Sequence, residues 1–327
     1  MSVTEPSPAA TPATAAGKVS VRVERKVPIA DGVVEVDLVD LQGGILPAWA
    51  PGAHIGLVLA PNLVRQYSLC GEVSDRRRYR IAVLREAQSR GGSAFIHDRL
   101  AETDVIPISE PRNNFELVES DKYLFVAGGI GVTPFLAMIE EAERRGAAWR
   151  LAYGGRATSS MAYLDRLRSI YPDQVTEYPF DQVGHIPLAN VLAKAEPGTE
   201  LYCCGPQPLL DAITEGCASR SLDRLHIERF SREALDDADT EFEVVLNATG
   251  RTITVPVGKS LLEVIEEAGV PIDSSCRDGS CSSCEVAVLE GTPDHRDVCL
   301  SEEERAACDS MMVCVSRSRG PRLVIDL

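Results

Sequence analysis

The chain has 327 residues, 44% of them hydrophobic and 25% charged, with a formal net charge of -16. That length predicts two or three domains with ordinary soluble cores. The acidic balance argues against nucleic-acid binding through a basic face, and no apolar run is long enough to span a bilayer.

Residues 1–17 are rich in Pro, Ala and Thr, with no positive n-region and no apolar core. They read as a disordered lead rather than a signal peptide, which points to the cytoplasm. Residues 18–116 then alternate short apolar runs at 19–23, 33–38 and 54–59 with turn signals at Asp31-Gly32, Gly43-Gly44 and Pro51-Gly52. Short strands without helices between them predict a small antiparallel β-barrel. Arg65-Gln66-Tyr67-Ser68 follows, then a strand at 79–84 and the loop Ser89-Arg90-Gly91-Gly92-Ser93 opening a helix over 94–100. Two glycines and a serine there offer backbone N–H groups and a hydroxyl to an anion such as phosphate, although the same tripeptide also makes an ordinary turn.

The pattern changes over residues 117–230. Strands at 123–127, 149–153, 174–178, 200–204 and 225–228 alternate with helices at 133–145, 160–170, 187–195 and 207–218. Such alternation gives a parallel sheet covered on both faces, with ligands at the carboxyl ends of its strands. Gly128-Gly129-Ile130-Gly131, Arg156 and Cys204-Gly205-Pro206 all fall at those ends. The glycine spacing is not the common dinucleotide fingerprint, and no acidic residue ends the second strand.

Residues 231–239 have the polar composition of a linker. Residues 240–327 open with strands at 241–246 and 252–256 and a helix at 260–268, whose Ser260 and Glu263 form a capping box. Next come Cys276, Cys281, Cys284 and, after 29 intervening residues, Cys314. Four residues, then two, then a long gap is the plant-type spacing for a [2Fe-2S] cluster. Zinc would favour paired knuckles, and Cys314 has no neighbour to pair with; a set of inert buried thiols is the other alternative. Cys70, Cys203, Cys204, Cys217, Cys299 and Cys308 are taken as free thiols. This last segment holds 16 acidic and 8 basic residues, an excess that is either solubilising or a docking face for a basic partner.

In order along the chain, Arg-x-Tyr-Ser, Gly-Gly-Ser, Gly-Gly-Ile-Gly-Val-Thr-Pro, Cys-Gly-Pro and the cysteine pattern resemble the phthalate dioxygenase reductase family, including the vanillate demethylase reductase type, within the ferredoxin-NADP reductase superfamily. The resemblance covers about residues 18 to 327. It implies three domains: an FMN-binding β-barrel over 18–116, an NAD-binding α/β domain over 117–230, and a β-grasp ferredoxin over 240–327. It further implies that Arg65 and the Gly91-Gly92-Ser93 loop hold the FMN phosphate, Tyr67 and Phe230 lie against the flavin with Gln66 alongside, and Ser68 sits near N5. Backbone groups of Ala82, Val83 and Leu84 would meet the pyrimidine edge. Gly128, Gly129, Ile130, Gly131 and Thr133 would cradle the pyridine-nucleotide pyrophosphate, Arg156 its ribose or adenine side, and Cys204, Gly205 and Pro206 the nicotinamide. Tyr67 could equally be barrel core, and Phe230 a domain-packing residue. Cys203 reads as core, and the five histidines, in no metal-ligand spacing, are assigned no chemistry.

Electron counting supplies the reaction. A nicotinamide gives two electrons as hydride, the cluster takes one at a time, and only a flavin between them converts one into the other. The family implies a terminal oxygenase of the Rieske non-haem iron type as acceptor. A cytochrome P450 is the nearest alternative, and a cluster-bearing sensor without turnover the alternative from another class. A single arginine after the second nucleotide-domain strand favours NADH over NADPH, and a monomer is expected.

Overall fold

The computed structural model describes residues 18–60, 63–87, 91–230, 239–277, 279 and 281–327. The expected disordered lead, Ser89 and Arg90 of the glycine loop, and residues 231–238 of the expected linker lie outside the described residues. Strands β1 (Lys18–Ala30), β2 (Val33–Asp40), β3 (His54–Ala60), β4 (Leu63–Ser68), β5 (Arg78–Leu84) and β6 (Val105–Ser109) make one antiparallel sheet in the order β4-β3-β6-β1-β2-β5. Alternation drives its curl, because Val21, Val23, Val36, Leu38, Ile55, Leu57, Ile81 and Ile108 all point into one core. Cys70, just after β4, donates its N–H to the carbonyl of Arg80 on β5 at 2.9 Å and draws the two edges together. Helix α1 (Gly92–Asp98) follows β5.

Sequence pattern missed two of these strands. Pro107 interrupts the apolar run of β6, and β4 carries Arg-Gln-Tyr-Ser, whose half-buried side chains leave no alternating signature.

Strands β7 (Lys122–Gly128), β8 (Ala148–Gly155), β9 (Val175–Pro179), β10 (Glu200–Cys204) and β11 (Leu225–Glu228) form an all-parallel sheet in the order β11-β10-β7-β8-β9. Strand order therefore reverses between β7 and β10, which is where open α/β sheets bind ligands. Helices α2 (Thr133–Arg145), α3 (Leu164–Ile170), α4 (Phe180–Val183), α5 (Leu188–Leu192) and α6 (Gln207–Ala218) accompany the sheet. Helix α3 starts four residues later than periodicity predicts, because Tyr163 takes a left-handed φ of 60° ahead of it. That kink has a purpose in the packing. The Tyr163 hydroxyl donates to Glu35 of β2 at 2.9 Å and meets the Cys70 thiol at 3.5 Å, tying sheet to barrel. One continuous core runs through both units, from Val33, Cys70 and Ala82 to Phe125, Phe135 and Tyr153.

The last unit pairs β12 (Phe242–Leu246) with β13 (Arg251–Val255), covers them with α7 (Leu261–Glu267), and continues through β14 (Glu285–Glu290), β15 (Pro293–Asp294), α8 (Glu302–Ala307), β16 (Ser310–Met312), β17 (Arg317–Ser318) and β18 (Arg322–Ile325). Its main sheet runs β13-β12-β18-β14-β16, with β12 and β18 parallel. The capping box forms as read: the Ser260 hydroxyl accepts from the Glu263 N–H at 3.2 Å while the Glu263 carboxylate accepts from the Ser260 N–H at 2.7 Å. Buried Arg317 lies over the Phe242 ring and donates to the carbonyls of Lys259 and Thr240 at 2.6 and 3.0 Å. A guanidinium satisfied by carbonyls costs far less to bury than a bare charge.

Tyr163→Phe removes the hydroxyl that donates from the N-terminus of α3 to the buried Glu35 carboxylate, so stability should fall by about 1–3 kcal/mol. Thermal and urea unfolding of the full chain check this, and an unchanged midpoint would show that the bond carries no weight between the units.

Candidate electron-transfer site

One cavity of about 860 Å³ opens where the three units meet. Its barrel wall is the residues that end up side by side when β4 and β5 are drawn together: Arg65, Gln66, Tyr67 and Ser68 on one strand, Ala82, Val83 and Leu84 on the other. Gly92 and Ser93 close one end, while Ile130, Thr133 and the 225–230 segment form the nucleotide-domain wall. The third wall belongs to the cysteine-rich unit, with His295, Asp297, Leu300 and Glu302 among its residues.

Most of the expected flavin residues therefore share one space. Arg65 crosses directly over Gly92, whose α-carbon leaves room for it: a β-carbon there would lie 2.4 Å from Arg65 Cγ. This brings a guanidinium to the Gly91-Gly92-Ser93 turn, a pairing suited to a phosphate. Tyr67 both lines the cavity and packs on the barrel core. Phe230 stands at the cavity, 42% exposed.

Ile130 and Thr133 reach the cavity wall, while the glycines of the loop and the Cys-Gly-Pro turn meet beside it. Gly131 passes so close to β10 that a β-carbon would stand 2.3 Å from the Cys204 carbonyl oxygen, a fit open only to glycine. Gly128 packs against Gly205 and Pro206, Gly129 takes a left-handed φ of 56°, and the Thr133 hydroxyl donates to the Ile130 carbonyl at 3.0 Å. Arg156 lies apart at the end of β8, its carbonyl accepting from the Asp181 N–H at 3.2 Å. Cys203 is wholly buried core.

The four expected cluster cysteines converge. Cys276, Cys284 and Cys314 are buried and Cys281 is partly so. The Cys276 N–H points at Cys281 Sγ at 3.3 Å, and the Cys314 thiol is within hydrogen-bonding reach of both Cys276 and Cys284. Backbone N–H groups aimed at sulfur are what an iron–sulfur centre uses for stabilisation. Gly279, at φ +72° between Cys276 and Cys281, packs on Asp297 and Val315 where a side chain would collide.

This loop rests on the flavin wall itself. Val64, the residue before Arg65, donates its N–H to the hydroxyl of Ser275, the residue before Cys276, at 2.7 Å. Asn114 adds a bond to the Cys299 carbonyl at 2.9 Å.

Sequence reasoning missed Glu228. It pairs in register with Cys204 across β11 and β10, and its carboxyl lies 3.6 Å from the Cys204 thiol inside the cavity wall. Burial pushes the carboxyl up to about 8, with Cys204 and Ser68 pulling only partly the other way. Burial likewise raises the Cys204 thiol well above its ordinary value, so both groups are predominantly uncharged at neutral pH. Two residues before Phe230, Glu228 could have been found as an acid ending an apolar strand.

A carboxyl with a raised folded-state pKa imposes no ionisation penalty below about 4.5, an increasing one as pH rises, and a constant one above about 8. Glu228→Gln should therefore match the parent chain in stability near pH 4 and exceed it by roughly 4 kcal/mol above pH 8. Unfolding midpoints across that range check the sign; a gap that does not grow with pH would contradict it.

Comparison with known proteins agrees with this architecture. The family model for 2Fe-2S iron-sulfur cluster binding domains matches residues 244–319. The model for the N-terminal domain of dimethylamine monooxygenase subunit DmmA-like proteins matches residues 109–227. Phenoxybenzoate dioxygenase subunit beta of Ectopseudomonas oleovorans is 40% identical over 304 residues, covering 91% of this chain and 95% of its own. The phthalate 4,5-dioxygenase oxygenase reductase subunit of Pseudomonas putida is 35% identical over 323 residues, 95% of this chain and 97% of its own. Among solved structures, phthalate dioxygenase reductase superposes with a TM-score of 0.70 at 34% identity, covering 95% of this chain and 98% of that one. An intact type IV self-sufficient cytochrome P450 monooxygenase gives a TM-score of 0.82 at 40% identity, but the 95% of this chain that aligns spans only 41% of the P450 polypeptide. An antiparallel flavin-type barrel, a parallel nucleotide-type sheet and a ferredoxin unit in this order, with reductase relatives matched over nearly their whole length, make the chain a member of the phthalate dioxygenase reductase family of oxidoreductases.

Proposed function

We propose that the chain is the reductase component of a two-component Rieske non-haem iron oxygenase, carrying electrons from NADH through FMN and a [2Fe-2S] cluster to the terminal oxygenase. The observation that carries this reading is the seating of the cysteine loop on β4, so that one strand serves both centres. Bound FMN would supply the conversion of one hydride into two single electrons.

The chain's own residues bind, orient and shield. Arg65 and the Gly91-Gly92-Ser93 turn neutralise and seat the FMN phosphate, while Tyr67 and Phe230 flank the ring. Gln66 and the Ala82, Val83 and Leu84 backbone meet its polar edge, and Ser68 sits beside the reacting face. Gly128, Gly129, Ile130, Gly131 and Thr133 hold the nucleotide pyrophosphate, Arg156 steadies the adenosine half, and Cys204, Gly205 and Pro206 present the nicotinamide. The protonated Glu228 keeps negative charge out of the place where hydride is delivered. Cys276, Cys281, Cys284 and Cys314 hold the cluster, in a unit whose acidic residues would guide docking. The domain limits proposed for this division are 18–116, 117–230 and 240–327.

A second reading, electron donation to a cytochrome P450, is favoured by the TM-score of 0.82 against a P450 polypeptide. Coupled turnover with a purified Rieske oxygenase and with a P450, each assayed separately, tells the two apart. In either case Cys314→Ser should lose the cluster and all coupled turnover while retaining flavin and NADH-dependent ferricyanide reduction. Loss of flavin together with iron, or zinc in place of iron, would overturn the assignment. Because Arg156 is the one basic residue following β8 before Arg166, kcat/KM should be higher for NADH than for NADPH, and the reverse order would remove that preference.

A further inference from the structure

His54 opens β3 and stands directly opposite Ser68 of β4 in the strand register, so the two side chains leave the same face of the sheet. Both line the large cavity. The imidazole is 7% exposed, and its Nε2 is buried with no hydrogen-bond partner among the described residues. Its backbone is clamped in both directions by Arg112, His54 N–H to Arg112 carbonyl at 2.8 Å and Arg112 N–H to His54 carbonyl at 3.0 Å. Burial, reinforced by the positive charge of Arg112, pulls its pKa down to about 4, so it is a neutral ring able to donate or accept one hydrogen bond at Nε2.

An orphaned polar nitrogen in a buried wall is destabilising unless whatever fills the adjoining space supplies a partner. The ring is buried on a held backbone, it adjoins the cavity, and it stands opposite the serine expected at the flavin ring. We infer that His54 is a flavin-positioning residue, its Nε2 forming a hydrogen bond with bound FMN from the barrel wall next to Ser68. The inference rests on the flavin reading above and adds a polar contact to it. It also accounts for a histidine that the spacing of metal ligands leaves without chemistry.

The test uses the full chain freed of flavin and titrated with FMN, following flavin fluorescence and the visible spectrum, with cluster content checked for each variant. His54→Phe keeps the aromatic bulk but cannot make the bond, and its FMN dissociation constant should rise about tenfold or more, the loss of one hydrogen bond of about 1.4 kcal/mol. Its flavin-free form should unfold no earlier than the parent's, since a buried unpaired nitrogen has been removed. His54→Gln places an amide nitrogen near the position of Nε2 and should recover most of the affinity and the parent spectrum. Unchanged FMN affinity in His54→Phe would overturn the inference while leaving the flavin reading intact, and so would a folded His54→Gln that binds as weakly as His54→Phe. If His54→Phe fails to fold, His54→Gln decides alone: parent-like affinity and spectrum support the bond, and a tenfold loss refutes it. A parent chain that takes up no FMN would refute the flavin reading itself.

Discussion

The hydrogen bond from the Val64 N–H to the Ser275 hydroxyl fixes the geometry on which the rest depends. It joins the residue before the Arg-Gln-Tyr-Ser strand to the residue before the first cluster cysteine. A two-electron carrier and a one-electron carrier can exchange electrons only when held close, and here the cysteine loop is bonded to the edge strand that walls the cavity. Asn114 adds a second tie by donating to the Cys299 carbonyl, and the Cys299 thiol in turn donates to the Gly279 carbonyl within the loop. Arg317, buried over the Phe242 ring, bonded to the carbonyls of Lys259 and Thr240 and paired with the buried Asp239 carboxylate, ties together the unit that carries the loop.

Around this junction the polar groups are handled in two ways: in the cavity wall burial opposes ionisation, and where barrel and sheet join carboxyl groups lie beside arginine. Glu228 and Cys204 are neutral because burial opposes their ionisation. On the far side of the barrel, Glu35 and Asp37 remain buried beside Arg80, whose guanidinium reaches Asp37 at 2.7 Å, and Tyr163 links that set to the nucleotide sheet. Removing one member of such a network leaves another uncompensated, which is why the barrel–sheet joint is sensitive to a single hydroxyl.

Much of this was legible in the sequence because its signals are local. The cysteine spacing, the capping box at Ser260, the strand–helix alternation of the middle segment and the glycine turns each follow from a few neighbouring residues. What escaped depends on distant segments coming together. β4 has no alternating pattern because one side of it faces a cavity rather than a core. β6 was hidden by Pro107. Glu228 and His54 read as an ordinary strand acid and an ordinary histidine until Cys204 and Ser68 lie opposite them in register. The late start of α3 depends on Tyr163 reaching a partner 128 residues away.

The central claim is the order of carriers, with flavin as the only entry to the cluster. It is tested most directly by mixing NADH anaerobically with the flavin-free, cluster-replete chain and following the [2Fe-2S] centre by electron paramagnetic resonance. The account predicts that the cluster stays oxidised until FMN is added and then becomes reduced. Reduction of the cluster by NADH without flavin would contradict it.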